Sequence, residues 1–181
     1  MILLVGLPGS GKSTVGRQLA RRLELPFVDT DTVIERRLGC SIRDYFAEHG
    51  EAAFRDVEQS VLDELCSASD IGVLATGGGI VLREANRSRM RAAGTVVYLR
   101  STPEELARRL RHDTQRPLLQ GVDPLQRLRE LYAARDPLYR DVASFAIDSA
   151  RRSVSMMVGT VVMQLELSSG PTSGSDTAAA S

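Results

Sequence analysis

Short apolar runs alternate along this chain with longer stretches in which apolar residues recur every three or four positions. Ile2-Leu3-Leu4-Val5 is the first run, and Val15, Leu19, Ala20 and Leu23 form the first helical stripe, which is expected to end near Leu23. Pro26 breaks that stripe, and Phe27-Val28-Asp29 reads as a second short strand. Residues 32–38 predict a helix stopped by Gly39. Another opens at Ser41, with Ser41-Ile42-Arg43-Asp44 as its capping box, and stops at Gly50. A longer helix is expected over 51–66, with Phe54, Val57, Val61, Leu62 and Leu65 on its apolar stripe and Arg55 and Glu58 off it. Residues 71–75 are continuously apolar, as a central parallel strand requires.

Residues 83–93 form a polar helix closed by Gly94, and 95–99 the fourth strand. Thr102-Pro103-Glu104-Glu105 then supplies a cap, a first-turn proline and a capping-box glutamate. Periodicity vanishes from His112 to Asp123, a stretch whose length and composition read as a mobile lid. Helix 124–135, a fifth strand over 144–147 and a closing helix over 154–167 follow, and 168–181, rich in Ser, Gly, Thr and Ala, reads as a disordered tail. The alternation predicts an α/β fold: a three-layer α/β/α domain over 1–167 with a five-stranded parallel sheet and right-handed crossovers.

Composition narrows the partners. The chain has 181 residues, 43% hydrophobic and 25% charged, enough for one domain with a proper core. A formal charge of +0 provides no global field towards nucleic acid or an anionic membrane. Neither is expected as a partner, and a monomer is expected. Arg83, Arg87, Arg89 and Arg91 lack interleaved aromatics and read as a solvated helix face. The first apolar run lacks a basic flank, and no segment reaches the roughly 18 apolar residues of a membrane span, so the cytoplasm is the default compartment. Cys40 and Cys66 are isolated thiols, with Cys66 expected on a buried helix face, and His49 and His112 have no metal-like spacing.

The chemistry begins at Gly6-Leu7-Pro8-Gly9-Ser10-Gly11-Lys12-Ser13-Thr14, a full G-x-x-x-x-G-K-[ST] stretch between a strand and a helix. Its glycines let consecutive N–H groups approach phosphates, Lys12 reaches the β and γ phosphates, and Ser13 ligates Mg²⁺. Lys12 is the one lysine of the chain, every other member of the Lys+Arg total of 23 being arginine. A lone ammonium placed there is a compact point charge for a phosphate cradle. With no second lysine there is no N-K-x-D guanine motif. The third strand runs into Thr76-Gly77-Gly78-Gly79 without a terminal aspartate for the metal, which leaves Asp29 or Asp31 for that role and favours a small-molecule kinase over a switch. In an extended segment residues two apart face the same way, so both carboxylates can project from one sheet edge. Asp31 suits the acceptor hydroxyl, Lys12 and Arg116 the transferring phosphoryl group, and the lid the exclusion of water. A plain reading of Asp31 as the cap of the helix at Thr32, and of the triple glycine as a tight turn, stands beside these.

Together these residues resemble the shikimate kinase family, of the nucleoside-monophosphate-kinase-like fold. The similarity runs from Leu3 to about Arg152. It takes in Gly6 to Thr14, Phe27-Val28-Asp29-Thr30-Asp31 with Ile34-Glu35, Gly50-Glu51, Phe54-Arg55 and Glu58, and Gly77-Gly78-Gly79. It continues through Val96-Val97-Tyr98-Leu99, Arg116-Pro117-Leu118-Leu119 and Arg135-Asp136-Pro137-Leu138-Tyr139. The resemblance implies ATP-dependent phosphorylation of the 3-hydroxyl of shikimate, giving shikimate 3-phosphate and ADP on the way to chorismate and the aromatic amino acids. It implies that Gly9, Ser10, Gly11, Lys12, Ser13 and Thr14, with Arg109, Arg116 and Arg152, bind ATP. Asp31, Arg55, Gly77, Gly78, Gly79 and Arg135 would hold shikimate, with Asp31 accepting the proton and the two arginines gripping the carboxylate. Ser13 would ligate Mg²⁺, with Asp29 acting through water. The family often has a proline shortly after the arginine at 152, whereas here Ser153-Val154-Ser155 follows. A related kinase acting on gluconate or a nucleoside monophosphate, and a nucleotide-dependent regulatory module without turnover, are the competing readings.

Overall fold

A computed structural model describes residues 1–110, 123–150 and 152–169. The expected lid as far as residue 122, Arg116 within it, and the tail beyond residue 169 lie outside the described residues. Within them the order is β1 (Ile2–Val5), α1 (Lys12–Leu23), β2 (Phe27–Asp29), α2 (Thr30–Leu38), α3 (Ile42–Ser67), β3 (Val73–Ala75), α4 (Glu84–Ala93), β4 (Thr95–Arg100), α5 (Pro103–Leu110), α6 (Pro124–Val142), β5 (Phe145–Asp148) and α7 (Val154–Ser169), with a 3-10 turn at Ile80–Leu82. All strands pair in parallel in the order β2-β3-β1-β4-β5.

Period-two alternation divides the sheet between two cores. Leu3, Val5, Val96 and Tyr98 face Leu62 of α3, Met90 of α4, Leu106 of α5 and Leu128, Leu131 and Tyr139 of α6. Ile2, Leu4, Val97 and Leu99 face Val15 and Leu19 of α1 and Met157, Val158 and Val161 of α7. The expected three layers are therefore present. No helix among the described residues is long and apolar enough to cross a membrane.

The differences from the sequence reading have local causes. The break expected at Gly50 is present: α3 is two helices meeting at a kink where Gly50 takes φ 82° and ψ 174°. The helix at 124 does not end at Arg135 but reaches Val142 with Pro137 inside it. Proline forfeits one intrahelical bond, and the burial of Tyr139 and Val142 against the sheet holds the helix together beyond it. Asp123, expected at the end of the lid, accepts from the Leu125 N–H and caps α6. The closing helix extends over Ser168 and Ser169, the first two residues of the expected tail. Cys66 is only half-buried, and Cys40 is exposed. The arginines at and after the start of α4 are not simply solvated: Arg83, the residue before the helix, pairs with Asp56 at 2.7 Å, and Arg91 with Asp141 at 3.0 Å, tying this segment to α3 and α6.

Candidate active site

The loop after β1 wraps around the Lys12 ammonium. Gly9 and Gly11 hold φ of 84° and 92°, backbone that other residues rarely adopt, and this lets the loop curl over the start of α1. Lys12 is 8% exposed, and its Nζ donates to the Gly6 and Leu7 carbonyls at 2.8 and 2.9 Å. Its charge is thus fixed at the helix N-terminus, among N–H groups that suit an anion.

Asp29 ties this loop to the β2–α2 junction. Its Oδ2 accepts from the Ser13 hydroxyl at 2.5 Å, and its Oδ1 accepts from the Asp31 N–H at 3.1 Å. Because Ser13 donates its proton to Asp29, its oxygen keeps lone pairs for a cation. An all-oxygen set with a single carboxylate fits Mg²⁺, which keeps several waters and takes the rest of its ligands from substrate phosphates. The expectation that Asp29 and Asp31 share a face through strand alternation does not hold, because the chain is already helical at Thr30. Asp29, in the extended region at φ −116°, is the cap of α2, so the capping role considered for Asp31 belongs to its neighbour.

Released from capping, Asp31 lies over the glycine turn that follows β3. A Cβ built on Gly77 would come within 2.9 Å of Asp31 Oδ1 and 3.1 Å of Glu58 Oε1. The turn itself is held by the Gly77 N–H donating to Thr30 Oγ1 at 3.1 Å. Glu58, placed off the apolar stripe by the sequence pattern, is in fact 2% exposed. It accepts from Arg55 Nη1 at 2.7 Å, and burial pushes its carboxyl up from the ordinary range, with Arg55 and Arg135 opposing and Asp31 reinforcing the shift. These four charged groups therefore form one electrostatic cluster.

Arg55 stands between the exposed Glu51 and buried Glu58, with its guanidinium carbon 5.2 Å from the Phe54 ring centroid. Among the described residues its partners take three of its five N–H donors. The others remain for a planar anion. A Cβ on Gly79 would overlap this guanidinium. Gly79→Ala should therefore keep the fold, since only the end of a side chain must move, yet raise the acceptor KM about tenfold. An unchanged acceptor KM would show that Arg55 is not used where it stands.

From the other side of the turn, Arg135 Nη1 donates to the Gly78 carbonyl at 3.1 Å, and the Tyr139 hydroxyl donates to the same oxygen at 2.5 Å. Arg55 and Arg135 thus flank the glycine turn, although 80 positions apart in the chain. The arginines expected near the base lie elsewhere, around the ends of β4 and β5. Arg109 Nη2 donates to the Ser149 carbonyl at 3.1 Å, and exposed Arg152 to Thr160 Oγ1 at 3.3 Å. Just after Arg152, Ser153 accepts from the Met156 N–H at 3.2 Å and caps α7. Sequence reasoning missed Glu58 and Tyr139 as parts of the site. The i,i+3 spacing of Arg55 and Glu58 did signal their pairing, though not a place for Glu58 in the site, and Tyr139 lies one turn after Arg135 once α6 is allowed to continue through Pro137.

Comparison with known proteins gives the family. The family model described as shikimate kinase matches residues 8–166. A shikimate kinase of Paracidovorax citrulli is 60% identical over 168 residues, covering 92% of each chain. One of Ralstonia nicotianae is 51% identical, covering 92% of this chain and 87% of the relative. The solved shikimate kinase from Acinetobacter baumannii in complex with shikimate superposes with a TM-score of 0.87 at 43% identity, over 94% of both chains. The chain belongs to the shikimate kinase family.

Proposed function

We propose that this chain transfers the γ-phosphoryl group of ATP to the 3-hydroxyl of shikimate, with the acceptor seated on the Gly77–Gly79 turn. The observation that carries this reading is the convergence of Arg55 and Arg135 on the turn, with Asp31 alongside. Two guanidinium forks from separate helices suit a planar carboxylate and set its orientation as well as its charge. Asp31 then receives the hydroxyls at the far end of the acceptor and takes the proton as the oxygen attacks phosphorus. The loop from Gly9 to Thr14 cradles the phosphates, and Lys12 neutralises charge on the oxygens that gain it. Ser13 would hold Mg²⁺, with Asp29 supporting it through water, and the ion would supply positive charge against that of the phosphates. Arg116, outside the described residues, is assigned to the phosphates, and Arg109 and Arg152 to the adenine side. We extend the reading to a monomer working in the cytoplasm without nucleic-acid or membrane partners.

ADP release with Mg-ATP, measured with shikimate and with gluconate or AMP as controls, tests this directly. Release that depends on shikimate is expected; release with another acceptor would overturn the carboxylate pocket and keep the phosphate loop. Arg135→Ala should raise the shikimate KM by about tenfold to a hundredfold, the loss expected for a hydrogen-bonded charge pair, and spare the KM for ATP. A normal shikimate KM in that variant would remove Arg135 from the carboxylate grip.

A further inference from the structure

We infer that Tyr139 is a positioning residue for acceptor binding, which sets the orientation of the Gly78–Gly79 peptide and, through it, the acceptor pocket. The inference rests on the proposed seat of shikimate on this turn. Tyr139 is completely buried and lies four residues after Arg135 on α6, so the two side chains rise from the same face one turn apart. Both donate to one atom, the Gly78 carbonyl oxygen, which can accept from two donors. A trans peptide is planar, so anchoring that carbonyl towards α6 turns the Gly79 N–H the opposite way. It also fixes the plane against which Arg55 rests, since Gly79 has no side chain to hold the guanidinium away.

The phenol is itself held in place. Its ring stacks on Tyr98 of β4 with centroids 5.0 Å apart, and the Tyr98 hydroxyl donates to Asp136 Oδ1 at 2.8 Å. Asp136 also accepts from Arg140 Nε at 2.6 Å. The stretch Arg135-Asp136 and Tyr139-Arg140 is thereby knitted to the central sheet, and the Tyr139 hydroxyl carries that rigidity into a glycine turn that has none of its own. Burial pushes the Tyr139 hydroxyl well above its ordinary pKa, which keeps it a donor. Arg135 alone would leave the carbonyl bound to a flexible side chain that the acceptor must also recruit.

Tyr139→Phe in the full chain is the test, read by steady-state kinetics and thermal melting. The ring and its stack on Tyr98 are retained. The expected result is a shikimate KM raised about tenfold, the order of one buried hydrogen bond, with the ATP KM unchanged and kcat within about threefold. Para-aminophenylalanine at 139 restores a donor at the same place and should return the KM towards the wild-type value. With an acceptor analogue whose carboxylate is replaced by hydroxymethyl, the penalty should vanish. A shikimate KM unchanged in Tyr139→Phe, or no better in the amino variant than in the phenylalanine one, would overturn the positioning role. Arg135→Ala in the same assay separates the two levels. If it raises the shikimate KM while Tyr139→Phe does not, only the positioning fails; if neither does, the seat of the acceptor is wrong as well.

Discussion

Lys12→Ala should fold normally and lower kcat by about 10²–10³-fold or more, with little change in the KM for shikimate. The ammonium is 8% exposed and lies among carbonyl oxygens at 2.8 and 2.9 Å, so its charge acts in a medium that screens it far less than water does. In the ground state it balances charge already present on the triphosphate; as the phosphoryl group moves, charge is redistributed onto oxygens it can reach. Its loss therefore appears mainly in the transition state, as a fall in kcat. The fold should survive because neither core depends on Lys12, and the Leu7 carbonyl still accepts from the Ser10 N–H at 3.1 Å. No arginine can take over readily, since a planar fork has no place inside a loop closed around one ammonium. Coupled ADP-release kinetics and a melting curve check this, and a kcat within about tenfold of wild type would take Lys12 out of the phosphoryl-transfer step.

For Asp31→Asn the expected loss is about 10²–10⁴-fold in kcat, with melting temperature nearly unchanged. The second half of that statement follows from the cap of α2. Had Asp31 been the capping residue, its replacement would have disturbed the helix start; with Asp29 accepting from the Asp31 backbone N–H, the side chain at 31 is not needed to cap α2. Asparagine keeps the shape and one acceptor oxygen but cannot take a proton. Removing the negative charge also relieves part of the upward push on the Glu58 carboxyl, so Glu58 should ionise at lower pH in the variant. Turnover retained within about tenfold would remove Asp31 as proton acceptor and leave it an orienting role.

Much of the architecture was legible because local rules and global fold agree. Ser41 caps α3 by accepting from the Asp44 N–H at 3.1 Å, and Thr102 accepts from the Glu105 N–H at 3.3 Å, both as their spacing predicts. Gly39 ends α2 with φ 69°. The errors came where burial outweighed a local signal. The helix expected to end at Arg135 continues through Pro137, because the turn beyond it is held by buried Tyr139 and Val142. Glu58 reads as a polar residue beside an apolar stripe, but its place under the glycine turn buries it against Arg55.

By itself the sequence determined the phosphate loop, the parallel α/β order and the identity of the charged groups, because each depends on residues close together in the chain or on a motif with one workable geometry. Only the tertiary structure decided which of two neighbouring aspartates caps α2 and which lies over the glycine turn, that Glu58 joins Asp31, Arg55 and Arg135 in one cluster, and that Arg135 and Tyr139 share the Gly78 carbonyl. Those relations link β2, α3, the turn after β3 and α6. Contacts between segments so distant in the chain are set by how the helices pack on the sheet, which no local pattern encodes.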